Sequence, residues 1–334
     1  MRQNLERLIA SLQESVRAIV WSNYFTTSLK SHLSALQALR TLLHRVSMIE
    51  ENIECLQTKQ EKIAHHLHRT TPARFDQYSE NSQNTPEERL IEFLFPWLNE
   101  QSAIDIGAHK GNFIRSLETI GFRKVYAFEP HTQLYTFLAD VYRNNPTVEV
   151  FPLAISNQEG HADLHLARLT TDAAFETDPL LFSSLQVHAL PVGLSFYDKI
   201  KVQTRSLFSL ITEQVLPPTC GLLKIDTEGH DTSVLKGMPD GTPFEIVMHE
   251  FWSKDFVFKP SEASLQEEAL RIMRARGYFF SITLMRLSTG DLRFSVNSPA
   301  RASNVWGNVF YFRDKATFEI AYTFIRSTVP QDLS

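Results

Sequence analysis

The spacing of apolar residues divides the chain into two unlike parts. Up to Pro72 there is neither glycine nor proline. From Leu39 apolar side chains recur at alternating steps of three and four, at Leu39, Leu42, Val46, Ile49, Ile53, Leu56, Ile63 and Leu67, with Gln60 the polar member of the seam. This heptad pattern predicts a helix whose stripe must be buried, since an isolated helix gains little from propensity alone. A coiled coil through 39–67 that joins subunits into a homo-oligomer is the expectation. A helical hairpin folded onto the rest of its own chain is the alternative. Residues 1–70 therefore read as a helical extension. The polar stretch 71–86, TPARFDQYSENSQNTP, reads as a linker bracketed by Pro72 and Pro86.

From residue 87 the period changes. Short β-rich runs succeed one another: SAIDI (102–106), KVYAF (124–128), VEVF (148–151), GLLKI (221–225), FEIVM (244–248), YFFSITL (278–284) and NVFYF (308–312). Most are separated by helical stretches, the first opening at Pro86 and others at about 112–120, 133–142, 232–235 and 261–276. This alternation predicts an α/β fold with a doubly wound sheet. The last two strands have no helix between them, which predicts an antiparallel strand added at one edge. Residues 160–204 break the alternation with two-sided runs such as HADLHLA, a β-rich insertion on the side where substrate pockets are elaborated. The main domain is thus predicted over 87–313, with a helical tail over 314–334.

Composition removes several function classes. With 43% hydrophobic and 21% charged residues, the 334-residue chain is neither a disordered nor a fibrous sequence. A formal net charge of -5 gives no general attraction to nucleic acid or to an anionic membrane. Cys55 and Cys220 stand far apart, excluding a disulfide scaffold and a cysteine-rich zinc site, and the reducing cytoplasm is the expected compartment. Charges and amides interrupt the apolar runs of MRQNLERLIASLQESVRAIVW, so neither a secretory signal nor a membrane span is predicted there. His65, His66 and His68 read as a solvated helix end, and no metal site is expected.

Two segments carry chemistry. In AIDIGAHKG (103–111) a strand ends in Asp105, turns through Gly107, and enters a helix past Gly111. One βαβ unit later Glu129 closes the second strand in YAFEP, where a carboxylate can accept both hydroxyls of a ribose. Together they predict a nucleoside site. A dinucleotide fingerprint needs a second glycine where His109 stands, which disfavours an NAD-linked oxidoreductase. S-adenosyl-L-methionine has no phosphate to accommodate, and its positively charged amino acid moiety suits Asp105 near the turn.

The second segment is LLKIDTEGHD (222–231), continuing into TSVLKG. Asp226 ends a central parallel strand at the ligand-binding edge and is the candidate for contacting the reacting centre. Glu228 and Asp231 read equally as a turn residue and a helix cap. His249 and Glu250 close FEIVM at the same edge, either as a base with its orienting partner or as a structural pair. His230 is a rival base.

Taken together, these segments resemble the FkbM family of S-adenosylmethionine-dependent methyltransferases. The family pattern D-[IV]-G-A-[NH]-x-G stands here as DIGAHKG (105–111), F-E-P as 128–130, and A-[IVL]-S as 154–156. The signature K-I-D-[VT]-E-G-x-[ED] stands as KIDTEGHD (224–231), succeeded by VLKG (234–237), and Ser183-Ser184-Leu185 matches a further element often present in the family. Asp231 departs from the more frequent Glu, and the N-terminal helical segment lies outside the family core. The resemblance implies a class I methyltransferase (Rossmann-like) fold over 87–313. It implies a cofactor site at Asp105, Gly107, Ala108, His109 and Gly111, Glu129 on the ribose, and the turn from Ala154 to Ser156 against the adenine. Asp226 and Glu228 would face the methyl-transfer centre. The activity implied is O-methylation of a sugar, glycan or natural-product hydroxyl from S-adenosyl-L-methionine. N-methylation and a non-catalytic donor-binding module are the alternatives.

Overall fold

The computed structural model describes residues 85–170, 178–187, 190, 193–253 and 263–331. The expected coiled coil at 39–67, the linker up to residue 84 and the histidines at 65–68 lie outside the described residues.

Helix α1 (Pro86–Leu94) opens on a capping box. Thr85 Oγ1 accepts from Glu88 N at 3.2 Å and Glu88 Oε2 accepts from Thr85 N at 2.7 Å, with Pro86 at the first helical position. The chain then runs through β1 (Ser102–Ile106), α2 (Asn112–Ile120), β2 (Lys124–Phe128), α3 (Thr132–Val141) and β3 (Val148–Phe151). It continues through β4 (Ala154–Ile155), β5 (Gly160–Leu169), β6 (Leu194–Arg205) and α4 (Leu207–Thr212). The later half comprises β7 (Cys220–Ile225), α5 (Asp231–Lys236), β8 (Phe244–Trp252), α6 (Ala263–Ala275), β9 (Phe280–Arg286), β10 (Leu292–Val296), β11 (Trp306–Phe312) and α7 (Lys315–Thr328).

An eight-stranded sheet in the order β10–β9–β11–β8–β7–β1–β2–β3 forms the centre. β3, β2, β1, β7 and β8 are parallel neighbours. The chain winds outward one way from β1 and the other way from β7, so the switch in direction lies between those two strands. Every residue of β7 is buried, as expected of a strand covered on both faces. Ile104, Phe128, Leu223, Val247 and Tyr311 belong to one continuous core.

The antiparallel strand expected from the last strand pair is present, but in the interior. β11 is hydrogen-bonded antiparallel to both β8 and β9, and its Val309–Phe312 run is buried. The outer place is held by β10, antiparallel to β9. Sequence reading missed β10 because Leu292 and Phe294 make too short an alternation to stand out. The C-terminal helix closes one face of the sheet. Phe318 stacks on Phe280 at 5.4 Å, and Phe324 stacks on Phe93 of α1 at 4.4 Å. Burying side chains of this size stabilises by about 1.5–3 kcal/mol each.

The insertion is a second, three-stranded sheet in the order β4–β6–β5, with Ala154, Leu164, Leu166 and Val202 as its own small core. A 3-10 turn at Pro179–Phe182 lies within it, between β5 and β6. Among the described residues no helix is long and apolar enough to cross a membrane.

Candidate active site

The sheet's switch point lies where β1 and β7 end side by side, the place where doubly wound folds bind ligands. Gly107 makes the turn after β1 with φ +81°, and a Cβ there would lie 1.9 Å from the Asp226 carbonyl oxygen, so no side chain fits. Gly107 N and Ala108 N donate to Phe128 O at 3.0 and 3.1 Å, and Asp226 N donates to Ile106 O at 3.0 Å. The turn is thereby tied to both neighbouring strands. Glu129 fixes the backbone of two turns, the one after β1 and its own after β2. One carboxylate oxygen accepts from His109 N and the other from His131 N, each at 2.8 Å. Burial lifts the Glu129 pKa to about 7, against the lowering effect of those two N–H donors.

Strand register places Asp105 directly opposite Lys224. Lys224 Nζ lies 3.0 Å from Asp105 Oδ1, 3.3 Å from Asp226 Oδ2 and 3.2 Å from the Gly107 carbonyl. Burial opposes the charge on Lys224, yet the two carboxylates outweigh it and hold the ammonium above its ordinary pKa. Asp105 is fully enclosed and does not line the cleft, so its charge acts on the site through Lys224. Lys224 stands inside the KIDTEGHD signature, and the sequence pattern assigns it no role. The available signal was a lysine inside the apolar run LLKI, which a two-sided strand can bury only with a carboxylate beside it.

The turn after β7 passes through two consecutive left-handed residues, Glu228 (φ 52°) and Gly229 (φ 94°). Asp231 holds it together. One of its oxygens accepts from Thr227 N at 2.9 Å and from Thr227 Oγ1, and the other accepts from Glu250 N at 3.1 Å. Its carboxylate thus staples the signature turn to β8. From the insertion, Ser184 Oγ donates to Glu228 O at 2.8 Å, which gives the Ser-Ser-Leu element a structural task. Gly237 closes VLKG where a Cβ would come within 2.2 Å of the Ser156 carbonyl, so that element and the Ala-Ile-Ser element pack backbone to backbone. Carboxylate oxygens of Asp226, Glu228 and Glu250 lie within 4.8 Å of one another.

The two candidate bases are placed differently. His230 lines the cleft, with Nε2 2.9 Å from Ser156 Oγ and Nδ1 3.5 Å from Gln186 Nε2. His249 does not line it. Its ring stacks on Tyr311 at 5.6 Å, Nδ1 donates to Glu250 O at 2.8 Å, and Nε2 lies 3.3 Å from Tyr311 Oη. Burial drops the pKa of both histidines to about 4, leaving both neutral at neutral pH.

These elements enclose one cleft of about 340 Å³. Of the residues singled out in the sequence, Gly107, Ala108, His109, Glu129, Ala154, Asp226, Glu228 and His230 line it. Asp105, Gly111, Ser156 and His249 stand behind it, and Ser156 meets the lining through His230. The lining also includes residues that carry no signal in the sequence, among them Glu87, Arg286, Trp306 and Asn308.

A central sheet with this strand order and a cleft at its switch point define a class I, Rossmann-like methyltransferase fold. The methyltransferase FkbM domain matches residues 105–280, just over half of the chain, and the chain belongs to that family. Among curated proteins no sequence matches it. Among solved structures it is similar to a putative O-methyltransferase from Klebsiella pneumoniae, at 9% identity and TM-score 0.37 over 76% of this chain and 89% of that one. A precorrin-6y C5,15-methyltransferase from Geobacter metallireducens GS-15 gives 11% identity and TM-score 0.34 over 71% and 94%. A spermidine synthase in complex with the transition-state analogue AdoDATO gives 11% and 0.36 over 73% and 63%.

Proposed function

We propose that this chain transfers a methyl group from S-adenosyl-L-methionine to a hydroxyl oxygen of a sugar, glycan or natural product. The observation that carries the reading is Glu129, a buried carboxylate on the cleft wall with each oxygen oriented by one backbone N–H. A carboxylate held in this way matches a vicinal diol such as that of a ribose. Leu134, Leu153 and Ile155 line the same end and supply an apolar wall for a flat base. Asp226 and Glu228 make the lining acidic beside the end of β7, which suits a cationic ligand.

When bound, the donor supplies an electrophilic methyl group on a cationic sulfur. The protein's own work is alignment and removal of the acceptor's proton. Asp226, fixed by Lys224, accepts a hydrogen bond from a hydroxyl beside the reacting one and so aims the reacting oxygen. His230 is neutral at neutral pH, with its ring anchored by Ser156, and takes the proton. A base of low pKa suffices because a hydroxyl becomes strongly acidic as its oxygen shares its electron pair. His249 serves as a positioning residue through β8 and Glu250.

The test is turnover of methyl-labelled donor by the full-length protein against a panel of hydroxylated acceptors. Label recovered in an alkali-stable methyl ether supports the reading. Label on nitrogen replaces it with N-methylation, and donor binding without turnover on any acceptor replaces it with a binding module.

A further inference from the structure

The end of the cleft away from Glu129 carries a polar wall that a methyl donor does not require. Glu87 comes from the first turn of α1, Arg286 from the end of β9, and Trp306 and Asn308 from the start of β11. Because β11 runs antiparallel, its first residues share the sheet edge with the carboxyl ends of the parallel strands. Arg286 Nη1 and Nη2 donate to the two oxygens of Glu87 at 2.8 and 2.7 Å. Asn308 Nδ2 donates to Glu87 Oε1 at 3.1 Å, and the Arg286 guanidinium lies 4.6 Å from the Trp306 ring centroid. Glu87 and Arg286 are each 4% exposed. A buried pair of this kind contributes little net stability compared with apolar residues of equal volume. Its position on a cleft wall is therefore better accounted for by what it presents to a ligand.

The charge pattern narrows that ligand. Among the described residues lining the cleft, each lysine and arginine already faces a carboxylate: Lys110 meets Asp178 at 2.5 Å, Lys224 meets Asp105 and Asp226, and Arg286 meets Glu87. Asp226 and Glu228 add negative charge beside the transfer centre. A phosphate or carboxylate on the acceptor would have to break one of these pairs to find a cation, and would lie near like charges while doing so.

We infer that Glu87, Arg286, Asn308 and Trp306 form the acceptor subsite, and that it selects an uncharged, hydroxyl-bearing ring over an anionic one. This rests on the methyl-transfer reading above. Asn308, with one N–H given to Glu87, offers its amide oxygen and its second N–H, matched to hydroxyls that both donate and accept. Trp306 offers apolar surface to the C–H face of a ring. The ion pair holds these groups in place before the ligand arrives, which lowers the ordering cost of binding.

The experiment is saturation-transfer NMR on the full-length protein loaded with S-adenosylhomocysteine. The probes are methyl glucoside, methyl glucuronide, a hexose phosphate and glucosamine. Methyl glucoside should bind, with the glucuronide and the phosphate weaker by about tenfold or more, the scale of one lost hydrogen bond. Asn308→Ala and Trp306→Phe should each weaken the glucoside by about fivefold or more, while S-adenosylhomocysteine affinity stays within about twofold. Retained product affinity also shows that each variant is folded. Equal or tighter binding of the anionic probes overturns the inference. So does glucosamine binding better than the glucoside, glucoside binding unmoved in both variants, or no glucoside binding to a protein that does hold S-adenosylhomocysteine. Failure of S-adenosylhomocysteine itself to bind overturns the donor reading first, and this inference with it.

Discussion

Each half of the cleft buries an ion pair, and the two pairs are built differently. On the donor half, Asp105, Lys224 and Asp226 come from the ends of two adjacent parallel strands, and register alone sets Asp105 opposite Lys224. Burial raises the Asp105 pKa, and the Lys224 ammonium that it shares with Asp226 opposes that rise. On the acceptor half, Glu87 and Arg286 come from a helix and a strand 199 residues apart, and their charges cancel. The Asp105–Lys224 arrangement is thus a consequence of how the sheet winds. The Glu87–Arg286 wall depends on α1, which packs on α7 through Phe93 and Phe324. Loops at strand ends can keep one donor site while the distant wall changes with the acceptor.

The largest expected effects are on stability. Arg286→Met and Lys224→Met each leave a buried carboxylate without its cation, and each should cost about 3–5 kcal/mol in urea unfolding. The paired replacements should then separate the halves. Glu87→Leu with Arg286→Met should regain most of the lost stability and keep S-adenosylhomocysteine binding. Asp105→Leu with Lys224→Met should regain stability too, yet remain inactive, because Asp226 has lost the ammonium that fixes it. Full activity in that second double variant would remove the distinction drawn between the two pairs.

Next in size is the chemical step. Asp226→Asn keeps the shape and loses the charge, and should lower kcat by about 10²–10⁴ with product affinity largely retained. A near wild-type rate would make Asp226 structural. His230→Ala should lose more activity at neutral pH than His249→Ala and recover part of it as pH rises and the acceptor ionises unaided. The reverse ranking would return the base to His249.

The same contrast decides which features are legible in the sequence. DIGAHKG, FEP and KIDTEGHD lie at the ends of strands, where short apolar runs and tight turns are local features. Strand placement is accordingly legible, as are the turn residues Gly107, His109, Glu129 and Asp226 that line the cleft. Asp231 is ambiguous in the sequence because its partners, Thr227 and Glu250, decide its role, and only the folded sheet brings Glu250 N to its second oxygen. His249 sat at the right edge by strand count, but a strand exposes alternate residues to opposite faces, and register turned its ring onto Tyr311. Glu87 and Arg286 had no local signal at all. Each is an ordinary charged residue in its own segment, and their pairing is a property of the tertiary fold.

The smallest effect concerns the insertion. Ser184→Ala removes a hydrogen bond to the Glu228 carbonyl at 2.8 Å and should cost about 1 kcal/mol. Hydrogen exchange should quicken at the 178–187 segment and at the signature turn together. Faster exchange in the segment alone would mean that Ser184 does not couple them.

The most direct measurement is calorimetric titration of S-adenosylhomocysteine into the full-length protein and its Glu129→Gln variant across neutral pH. Burial holds the Glu129 pKa at about 7, and a ribose diol donates better to the ionised carboxylate. Affinity should therefore rise about tenfold between about pH 6 and about pH 8. Stability of the protein without ligand should move the other way. The folded state keeps a proton that the unfolded carboxyl releases near its ordinary 4.5, so stability falls as pH rises through the window up to about 7. Glu129→Gln should bind more weakly at the higher pH and show neither dependence. Affinity that is flat with pH and unchanged in Glu129→Gln, or no binding at all, would contradict the account.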